Sequence, residues 1–543
     1  MRLSLRLGLG LVPQLYASVS ALSLSFSTAS VLDSRITFTR ASLAMRYDST
    51  GKLTYAPNNL LVHSNDPTSA LWTKSALSVV GGVSDPDGGN NAFTLTATAA
   101  SAYILRGSTA PDVNAIVSVW LRRRTGVGVV YLNTPQNSLN VTQAITGTWA
   151  RYSVAGFTAA GAIAFVLGVN VSGDAVDFYC GQSEVVTYET TPRTYNATTG
   201  SAFHGARLDH NPATLAPLGL LIEETRTNLV LRSQEFDNAA WFSTGTPTVT
   251  ANATTAPDGT TTAEKFINTG AAEYRSQNYT AAAASYTASV YAKQAEASQV
   301  HIERAGGING SFNLATGAVI STAGGATATI TSVGDGWYRC SITWTDAGGA
   351  TTLYIGRTSG TANSVNGIFL WGAQLEAGAF ATSYIPTVAA TVTRAADSAS
   401  MTGANFSSWF TAAQGTFVFE GDSPGSGTRT AIAADDNTAN EAIRLYTSAL
   451  DPKLIVVDGA ITQADIDAGA ITANTAFKLA ASYTANSFAA SVGGAVAVTD
   501  LVGTLPTVDR LRIGVDQAGN YLNGHAKSVT FHNTVKSVAE LSA

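Results

Sequence analysis

The sequence predicts an all-β protein built from several sandwich domains. At 543 residues the chain is longer than one hydrophobic core usually allows. Charged residues make up 13% of it, about half the usual share, so Ser, Thr, Asn and Gly must supply most of the polar surface. These residues favour turns, and alternating Val, Ile, Tyr and Phe favour strands. Regular strand–turn spacing without helical patterns indicates two-sheet sandwiches or jelly rolls.

A fourteen-residue phrase occurs twice in the chain. Residues 59–72 read NLLVHSNDPTSALW, and residues 228–241 read NLVLRSQEFDNAAW. Later matches keep the same order, beginning with the Pro-Asp-Gly turns at residues 86–88 and 257–259. The repeat unit is therefore a whole domain of roughly 150 residues, within the normal range of domain sizes.

These matches divide the chain into five parts. We expect residues 59–192 (module 1) and 228–387 (module 2) to be two tandem jelly-roll sandwiches. Residues 193–227 are expected to form a connector, and residues 388–543 a further sandwich (the terminal sandwich). Residues 1–58 remain as an N-terminal segment.

Individual stretches support this division. Residues 285–293 (SYTASVYAK) and 415–420 (GTFVFE) alternate as half-buried strands do. Trp72 and Trp241 end the two copies of the repeated phrase. We expect each to close one end of its sandwich, because a large ring buries much area.

The N-terminus has two interpretations. Two arginines followed by an apolar stretch are typical of a signal peptide. Pro13 and Gln14 interrupt that stretch, and Ser and Gly are frequent in it. We interpret the segment as an ordered docking peptide and keep a signal peptide as the alternative.

Composition argues against several other classes of function. The net charge is −6 without a basic stripe, so nucleic-acid binding is not expected. Cys180 and Cys340 are the two cysteines and lie at non-equivalent places in the repeats. They exclude a disulfide framework and a cysteine zinc site, and they suit a reducing cytoplasm. No apolar stretch is long enough for a membrane helix.

Acidic and histidine patterns do not predict catalysis. Glu223 and Glu224 point opposite ways if extended, and the other close pairs, Glu420 with Asp422 and Asp465 with Asp467, fall at or near turns. The six histidines lack HxH or HExxH spacing. We therefore expect no enzyme, no metal site and no cofactor, although the Asp-Gly turns leave room for a structural calcium ion.

Several motifs resemble those of a known group of proteins. The stretches NLVLRSQEFDNAAW, TAPDGTTTAEKF, DGWYRCSITW and FLWGAQLEAGAFATSYIPT resemble a bacteriophage structural module that looks like a carbohydrate-binding jelly roll. The pieces ITFTRASLAMRYDSTGKLTYAP and LGLLIEETRTNLV resemble phage tail and virion proteins. The segment after Thr387 resembles laminin-G and concanavalin-A-like sandwiches.

Sugar binding requires rings that stack on a pyranose and planar side chains that bond its hydroxyls. On strands of the two modules the candidates are Trp120 with Arg122, and Tyr291 with Gln294. The alternative is that both rings pack in the core or on a sheet surface, since aromatics are enriched in strands.

The resemblance implies a phage virion appendage, such as a tail or head fibre or a spike, that binds host surface polysaccharide. Residues 1–58 would anchor it to other virion proteins, and a homotrimer would cover open sheet edges. It would be assembled in the bacterial cytoplasm and reside in the virion. The alternative is a decoration or cementing protein of the capsid, neck or tail without glycan binding.

Overall fold

The computed structural model describes residues 20–543 except 112, 135–138, 143–144, 158–160, 269, 271, 359–365 and 426. Within this described part, regular structure consists of strands and two short helices. None of its helices is long and apolar enough to cross a membrane. The predicted fold class, tandem jelly rolls followed by a further β-sandwich, is confirmed.

Five short strands precede module 1. They are β1 (Leu22–Ser25), β2 (Thr37–Thr39), β3 (Met45–Tyr47), β4 (Leu53–Tyr55) and β5 (Asn58–Asn59). Leucine and serine alternate along β1, so its leucines are buried and its serines exposed. Strands β3 and β4 pair as a hairpin, which we call the Tyr47 hairpin.

Module 1 is a sandwich of two five-stranded sheets. Its strands are β6 (Thr73–Ser75), β7 (Leu77–Val83), β8 (Ala92–Ala97), β9 (Ala102–Thr109), β10 (Asn114–Thr125), β11 (Val130–Thr134), β12 (Leu139–Thr142), β13 (Ala150–Phe157), β14 (Ala162–Val169) and β15 (Ala175–Val186). One sheet has the order β13-β10-β15-β8-β7 and the other β12-β11-β14-β9-β6. Alternate residues such as Val119 and Phe165 fill the space between them.

The connector contributes four strands. They are β16 (Phe203–His204), β17 (Leu208–His210), β18 (Pro217–Ile222) and β19 (Arg226–Asn228). Strand β16 pairs with β5 at the entry to module 1. The connector is therefore part of the folded body.

Module 2 contains two unusually long strands. Its strands are β20 (Phe242–Thr244), β21 (Thr248–Thr254), β22 (Ala263–Ile267), β23 (Glu273–Gln294), β24 (Gln299–Arg304), β25 (Ile308–Asn313), β26 (Ala318–Ala323), β27 (Thr327–Ser332), β28 (Trp337–Arg357) and β29 (Gly367–Ala377). Strands β23 and β28 pair along nearly their whole length and run through both layers. The second half of β23 pairs with β29, whereas the first half pairs with β20.

The terminal sandwich uses residues from both ends of the chain. Its own elements are β30 (Val392–Arg394), β31 (Ser398–Thr402), α1 (Ala404–Ser407), β32 (Gln414–Gly421), β33 (Thr428–Asp435), β34 (Ala442–Ser448), β35 (Asp451–Asp458), β36 (Ile461–Asp467), β37 (Phe477–Thr484), β38 (Ser487–Val492), β39 (Val498–Asp500), β40 (Arg510–Ile513), β41 (Gly524–His532) and α2 (Val538–Ser542). Its sheets have the orders β17-β18-β41-β32-β37-β38-β39 and β2-β31-β40-β33-β34-β35-β36, and β1 pairs with β41.

This pairing corrects the expectation that residues 1–58 form a separate N-terminal segment. Strands β1 and β2 belong to the two sheets of the terminal sandwich. The apolar side chains of β1 need a sheet to cover, and β41 provides it. This pairing does not test the predicted anchoring role, and residues 1–19 lie outside the described residues.

The repeated phrase forms the same structure in both modules. The indole Nε1 of Trp72 donates to the carbonyl of His63 at 3.1 Å, and that of Trp241 donates to Arg232 at 3.0 Å. Both carbonyl-bearing residues have φ of 50°. Both tryptophans are buried in the core of their module, as expected of a large ring; that each closes one end of its sandwich stays a prediction.

Buried charges hold the parts together. Arg207 lies between Glu223 and Asp397. Arg40 reaches Asp397 at 2.9 Å, and Arg394 reaches Glu223 at 2.5 Å. Burial alone would raise the pKa of Glu223, but the charges of Arg394 and Arg207 outweigh it and hold that pKa well below its usual value. Removing one partner would leave a buried charge uncompensated.

Candidate functional site

The structure places Tyr291 inside the protein. The ring is 1% exposed and lies 5.4 Å from Trp371 and 5.9 Å from Tyr384, measured between ring centroids. The expectation that Tyr291 presents its ring to a sugar on the module surface is therefore wrong, because the ring is buried.

The Tyr47 hairpin covers this aromatic group. The phenol of Tyr47 lies 3.1 Å from the hydroxyl of Tyr291. The backbone N–H of Leu53 donates to the carbonyl of Pro257 at 3.0 Å, which fixes the hairpin on module 2. Module 1's hydrophobic core continues through the hairpin to this face, while module 2 keeps a core of its own between its layers.

Gln294 is exposed but does not meet Tyr291. The two side chains are three positions apart on β23, so they project from opposite faces of the sheet. The predicted pairing of ring and amide is therefore wrong as well.

Trp120 and Arg122 lie together on the outer face of module 1. Val119 and Leu121 alternate with them and are buried in the core. Trp120 is half-buried, and Arg122 is half-buried beside it. The predicted pair on β10 is brought together as expected.

Two further rings complete this surface. The Arg122 guanidinium lies 4.8 Å above the ring of Trp149. Trp149 contacts Tyr179 edge to face at 6.4 Å, and Tyr179 stands opposite Trp120 on the neighbouring strand. We call Trp120, Arg122, Trp149 and Tyr179 the Trp120 face.

Polar groups hold these rings in position. Arg122 Nε donates to Asp177 Oδ2 at 2.7 Å, and Tyr179 donates to Asp87 Oδ2 at 2.8 Å. Burial, followed by this bond to Asp87, raises the pKa of Tyr179 well above its usual value. The phenol therefore remains a neutral donor beside a carboxylate acceptor and a guanidinium. Such a set can stack on a pyranose and bond its hydroxyls.

The Trp120 face and the buried face of module 2 are equivalent. Trp120 stands opposite Tyr179 and Arg151, as Tyr291 stands opposite Trp371 and Arg339. The two faces differ in what covers them, because only the module 2 face carries the Tyr47 hairpin in the described part of the chain.

In each module a β-bulge sets the direction of the aromatic ring on the strand next to β10 or β23. Pairing shifts between Ser118 and Trp120 in module 1, where Cys180 has φ of 53°. It shifts between Ser289 and Tyr291 in module 2, where Gly372 has φ of 61°. Such bulges locally re-aim side chains. The buried thiol of Cys180 has its pKa raised to about 11, chiefly by burial, so it is unreactive at neutral pH.

Side chains that could bind a metal are dispersed among the described residues. Among the described residues, no three His, Cys, Asp or Glu side chains lie where they could hold an ion. Asp258, one of the turn aspartates, accepts the N–H of Thr260 at 2.9 Å, and Asp87 accepts Tyr179. The turn aspartates thus serve as hydrogen-bond acceptors in this structure.

Trp149 and Tyr179 are not among the candidates that the sequence predicts. The position of Trp149 beside Arg122 follows from the β10–β13 pairing, which places the start of β13 against the end of β10. A predicted strand register could have identified it.

Comparisons with known proteins found matches among solved structures only. No protein-family model and no curated protein matches the chain. The CBM40 module of Ruminococcus gnavus IT-sialidase, bound to α2,3-sialyllactose, is 14% identical and covers 24% of this chain and 80% of that one, with a TM-score of 0.21.

Two other solved structures cover more of the chain. The CBM22-1–CBM22-2 tandem of Paenibacillus barcinonensis Xyn10C is 11% identical and covers 60% of this chain and 98% of that one, with a TM-score of 0.20. Mouse laminin α1 domains LG4-5 are 10% identical and cover 47% of this chain and 82% of that one, with a TM-score of 0.18. Likenesses with TM-scores this low support no conclusion about the fold or the ligand of this chain.

Proposed function

We propose that this chain is a non-enzymatic phage virion appendage, a fibre or spike, that binds bacterial surface glycans through the Trp120 face. The N-terminal segment, residues 1–58, would attach it to other virion proteins, and it would act as a homotrimer in the virion. Each shallow site would bind weakly, and repetition across copies would raise avidity by orders of magnitude.

The observation that supports this proposal is the difference between two equivalent faces. In module 2 the aromatic face is covered by the Tyr47 hairpin. In module 1 the same positions carry two tryptophans and an arginine and remain half-exposed. Large half-exposed rings with fixed polar neighbours suit a sugar, whose C–H faces are apolar and whose rim is polar.

Binding to a panel of purified bacterial surface polysaccharides tests the proposal. We expect the intact chain to bind at least one, and Trp149→Ala to weaken that binding about tenfold, equivalent to about 1.4 kcal/mol. Arg122→Ala should weaken it similarly.

Arg124→Ala is the matched control. Arg124 also reaches Asp177, at 3.4 Å, but its side chain is 50% exposed and it is not part of the Trp120 face. It should leave binding unchanged. If no polysaccharide binds, or if the Trp149 and Arg122 variants bind like the unaltered chain, glycan recognition by this face is wrong.

The alternative function is a cementing protein of the capsid, neck or tail. The Tyr47 hairpin on module 2 supports it, because it shows that such a face can dock protein. If this alternative holds, Trp149→Ala would reduce incorporation of the chain into particles. Neither the unaltered chain nor any variant would then bind polysaccharide.

A further inference from the structure

We propose that module 2 has a second glycan-binding face on its other layer, selective for uncharged sugars. It consists of Phe242, Tyr274, Tyr354, His301 and Glu303, and we call it the Tyr354 face. The proposal rests on the proposed glycan binding but concerns a different module, a different layer and a different ligand charge.

Strand alternation brings these side chains to one surface. In the first half of β23, Gln277 and Tyr279 point inward: Gln277 donates to the carbonyl of Leu231 at 2.7 Å, and Tyr279 lies 6.0 Å from Tyr286. Tyr274 is offset from them by an odd number of positions, so it points outward.

Register aligns the neighbouring strands with this outward face. Tyr354 lies opposite Ser276 on one side and Glu303 on the other. The inward residues of the same strands, Leu353 and Ile302, are fully buried.

Three rings are close together on this face. Tyr274 lies 5.5 Å from Tyr354 and 5.8 Å from His301, measured between centroids. Gly356 stands opposite both Tyr274 and His301, and because it lacks a side chain it lets their rings approach. Phe242, on the adjacent strand, is 42% exposed. Phe242 and the half-buried Tyr274 and Tyr354 therefore form an aromatic platform at the surface, with the buried ring of His301 beneath it.

Polar side chains that can hydrogen-bond the hydroxyls of a sugar surround the rings. His301 Nδ1 lies 2.8 Å from Ser311 Oγ, and its Nε2 lies 3.2 Å from Glu303 Oε2. On the next row, Thr352 donates to Asn278 Oδ1 at 2.8 Å. His301 is only 3% exposed, so it orients Glu303 from beneath the rings and does not contact the ligand itself. Glu303, Thr352 and Asn278 offer donors and acceptors to a sugar.

The charge of the face favours an uncharged ligand. Arginines on the same strands are used elsewhere: Arg304 pairs with Asp346 at 3.0 Å, and Arg275 donates to Ser243 at 2.6 Å. Burial lowers the pKa of His301 despite the opposing bond to Glu303, so the imidazole is neutral at neutral pH. The Glu303 carboxylate then repels acidic sugars and accepts hydroxyls.

Calorimetric titration of the intact chain tests the proposal with three probes: cellotetraose, chitotetraose and tetragalacturonate. We expect one or both uncharged tetrasaccharides to bind more tightly than tetragalacturonate. Tyr354→Ala should weaken that binding about tenfold, whereas Tyr354→Phe, which keeps the ring, should retain it. Glu303→Gln should reduce the difference in affinity between the uncharged probes and the acidic probe.

Two further variants keep the result interpretable. Asn278→Ala changes an exposed side chain and should also weaken binding, so the test stands even if Tyr354→Ala fails to fold. Trp149→Ala should leave tetrasaccharide binding intact, which separates this face from the Trp120 face. The proposal is overturned if neither uncharged probe binds, if tetragalacturonate binds equally well, or if Asn278→Ala and Tyr354→Ala bind normally. Normal binding by Asn278→Ala and Tyr354→Ala, together with loss of polysaccharide binding in Trp149→Ala, would contradict this inference alone. The proposed function of the Trp120 face would still hold.

Discussion

At the scale of single residues, buried amides hold the entry of each module. Asn228 is fully buried, and its Nδ2 donates to the carbonyls of Ala373 at 3.1 Å and Ile385 at 2.8 Å. Its Oδ1 accepts the N–H of Leu375 at 3.1 Å. Asn59 occupies the same position in module 1, where its Oδ1 accepts the N–H of Ser183 at 3.1 Å. One amide thus satisfies several backbone groups that water cannot reach.

Asn228→Ala should destabilise module 2 by about 2 kcal/mol or more, because each unsatisfied buried group costs about 1–3 kcal/mol. Urea unfolding followed by tryptophan fluorescence measures the change. Gln294→Ala, an exposed side chain in the same module, should change stability by less than about 0.5 kcal/mol. Equal effects of the two substitutions would contradict this role of Asn228.

His525 is a second residue with a defined energetic role. Its Nδ1 lies 2.9 Å from Asp422 Oδ2 and its Nε2 3.1 Å from Asp209 Oδ2. Burial would lower the pKa of His525, but Asp422 and Asp209 outweigh it and raise the pKa to about 10. The charged imidazole therefore links the connector to the terminal sandwich.

Because the folded pKa lies above the value of about 6.5 in an unfolded chain, this stabilisation is complete below about pH 6.5 and is lost as the pH rises through about 10. We expect the melting temperature to fall over that interval. His525→Asn should be less stable at neutral pH and show a weaker fall, as measured by calorimetry across pH. Parallel pH curves for the two proteins would disprove the linkage.

The sequence predicted part of the site at this scale. Alternation along β10 was sufficient to place Trp120 and Arg122 on one face. It could not show that Tyr291 is covered, because the covering Tyr47 lies 244 residues away in the chain. Alternation could not reveal the site around Tyr354 either. The neighbours of Tyr354 come from three other strands, and the sequence does not show how those strands pair.

At the scale of elements, the Tyr47 hairpin decides which aromatic face is open. Its strands β3 and β4 precede module 1 in sequence but lie on module 2. Leu53 at the start of β4 is 2% exposed. The hairpin therefore joins the two modules through apolar contact as well as hydrogen bonds.

Leu53→Ala should cost about 2–5 kcal/mol, the usual range for a buried leucine, and should loosen the hairpin. Hydrogen exchange measured by mass spectrometry should then accelerate in residues 45–55. Leu501→Ala, at a residue that is 66% exposed, should leave exchange unchanged there. Unaltered exchange in the Leu53 variant would show that the hairpin is not held by this contact.

Strands and the repeat were predictable, but strand length was not. The predicted strand at residues 285–293 is the second half of β23, which has 22 residues. The alanines at 281–284 lack the alternation that marks a strand. Their extended conformation comes from pairing with β28, a contact between distant parts of the chain.

At the scale of the whole molecule, three bodies share their boundary elements. The first described strand, β1, pairs with β41 near the C-terminus, and the connector adds β17 and β18 to the same sheet. The terminal sandwich also leaves apolar side chains exposed, including Leu501 and Val502 at 66% and 73%. A neighbouring chain would cover them in an oligomer.

We expect light scattering of the intact chain to give three times the chain mass of 56.0 kDa. Replacing Leu501 and Val502 together by Asp should dissociate the oligomer, because carboxylates are costly to bury. A monomer for the unaltered chain would contradict the trimer.

Hydroxyl-radical footprinting of the intact chain, with and without a bound polysaccharide, tests the open face of module 1 most directly. We predict that Trp120, Trp149 and Tyr179 are modified in the free chain and protected in the complex. Trp371, beneath the Tyr47 hairpin, should remain unmodified in both states. Equal modification of Trp371 and Trp149 in the free chain, or no protection of the module 1 rings by the ligand, would contradict it.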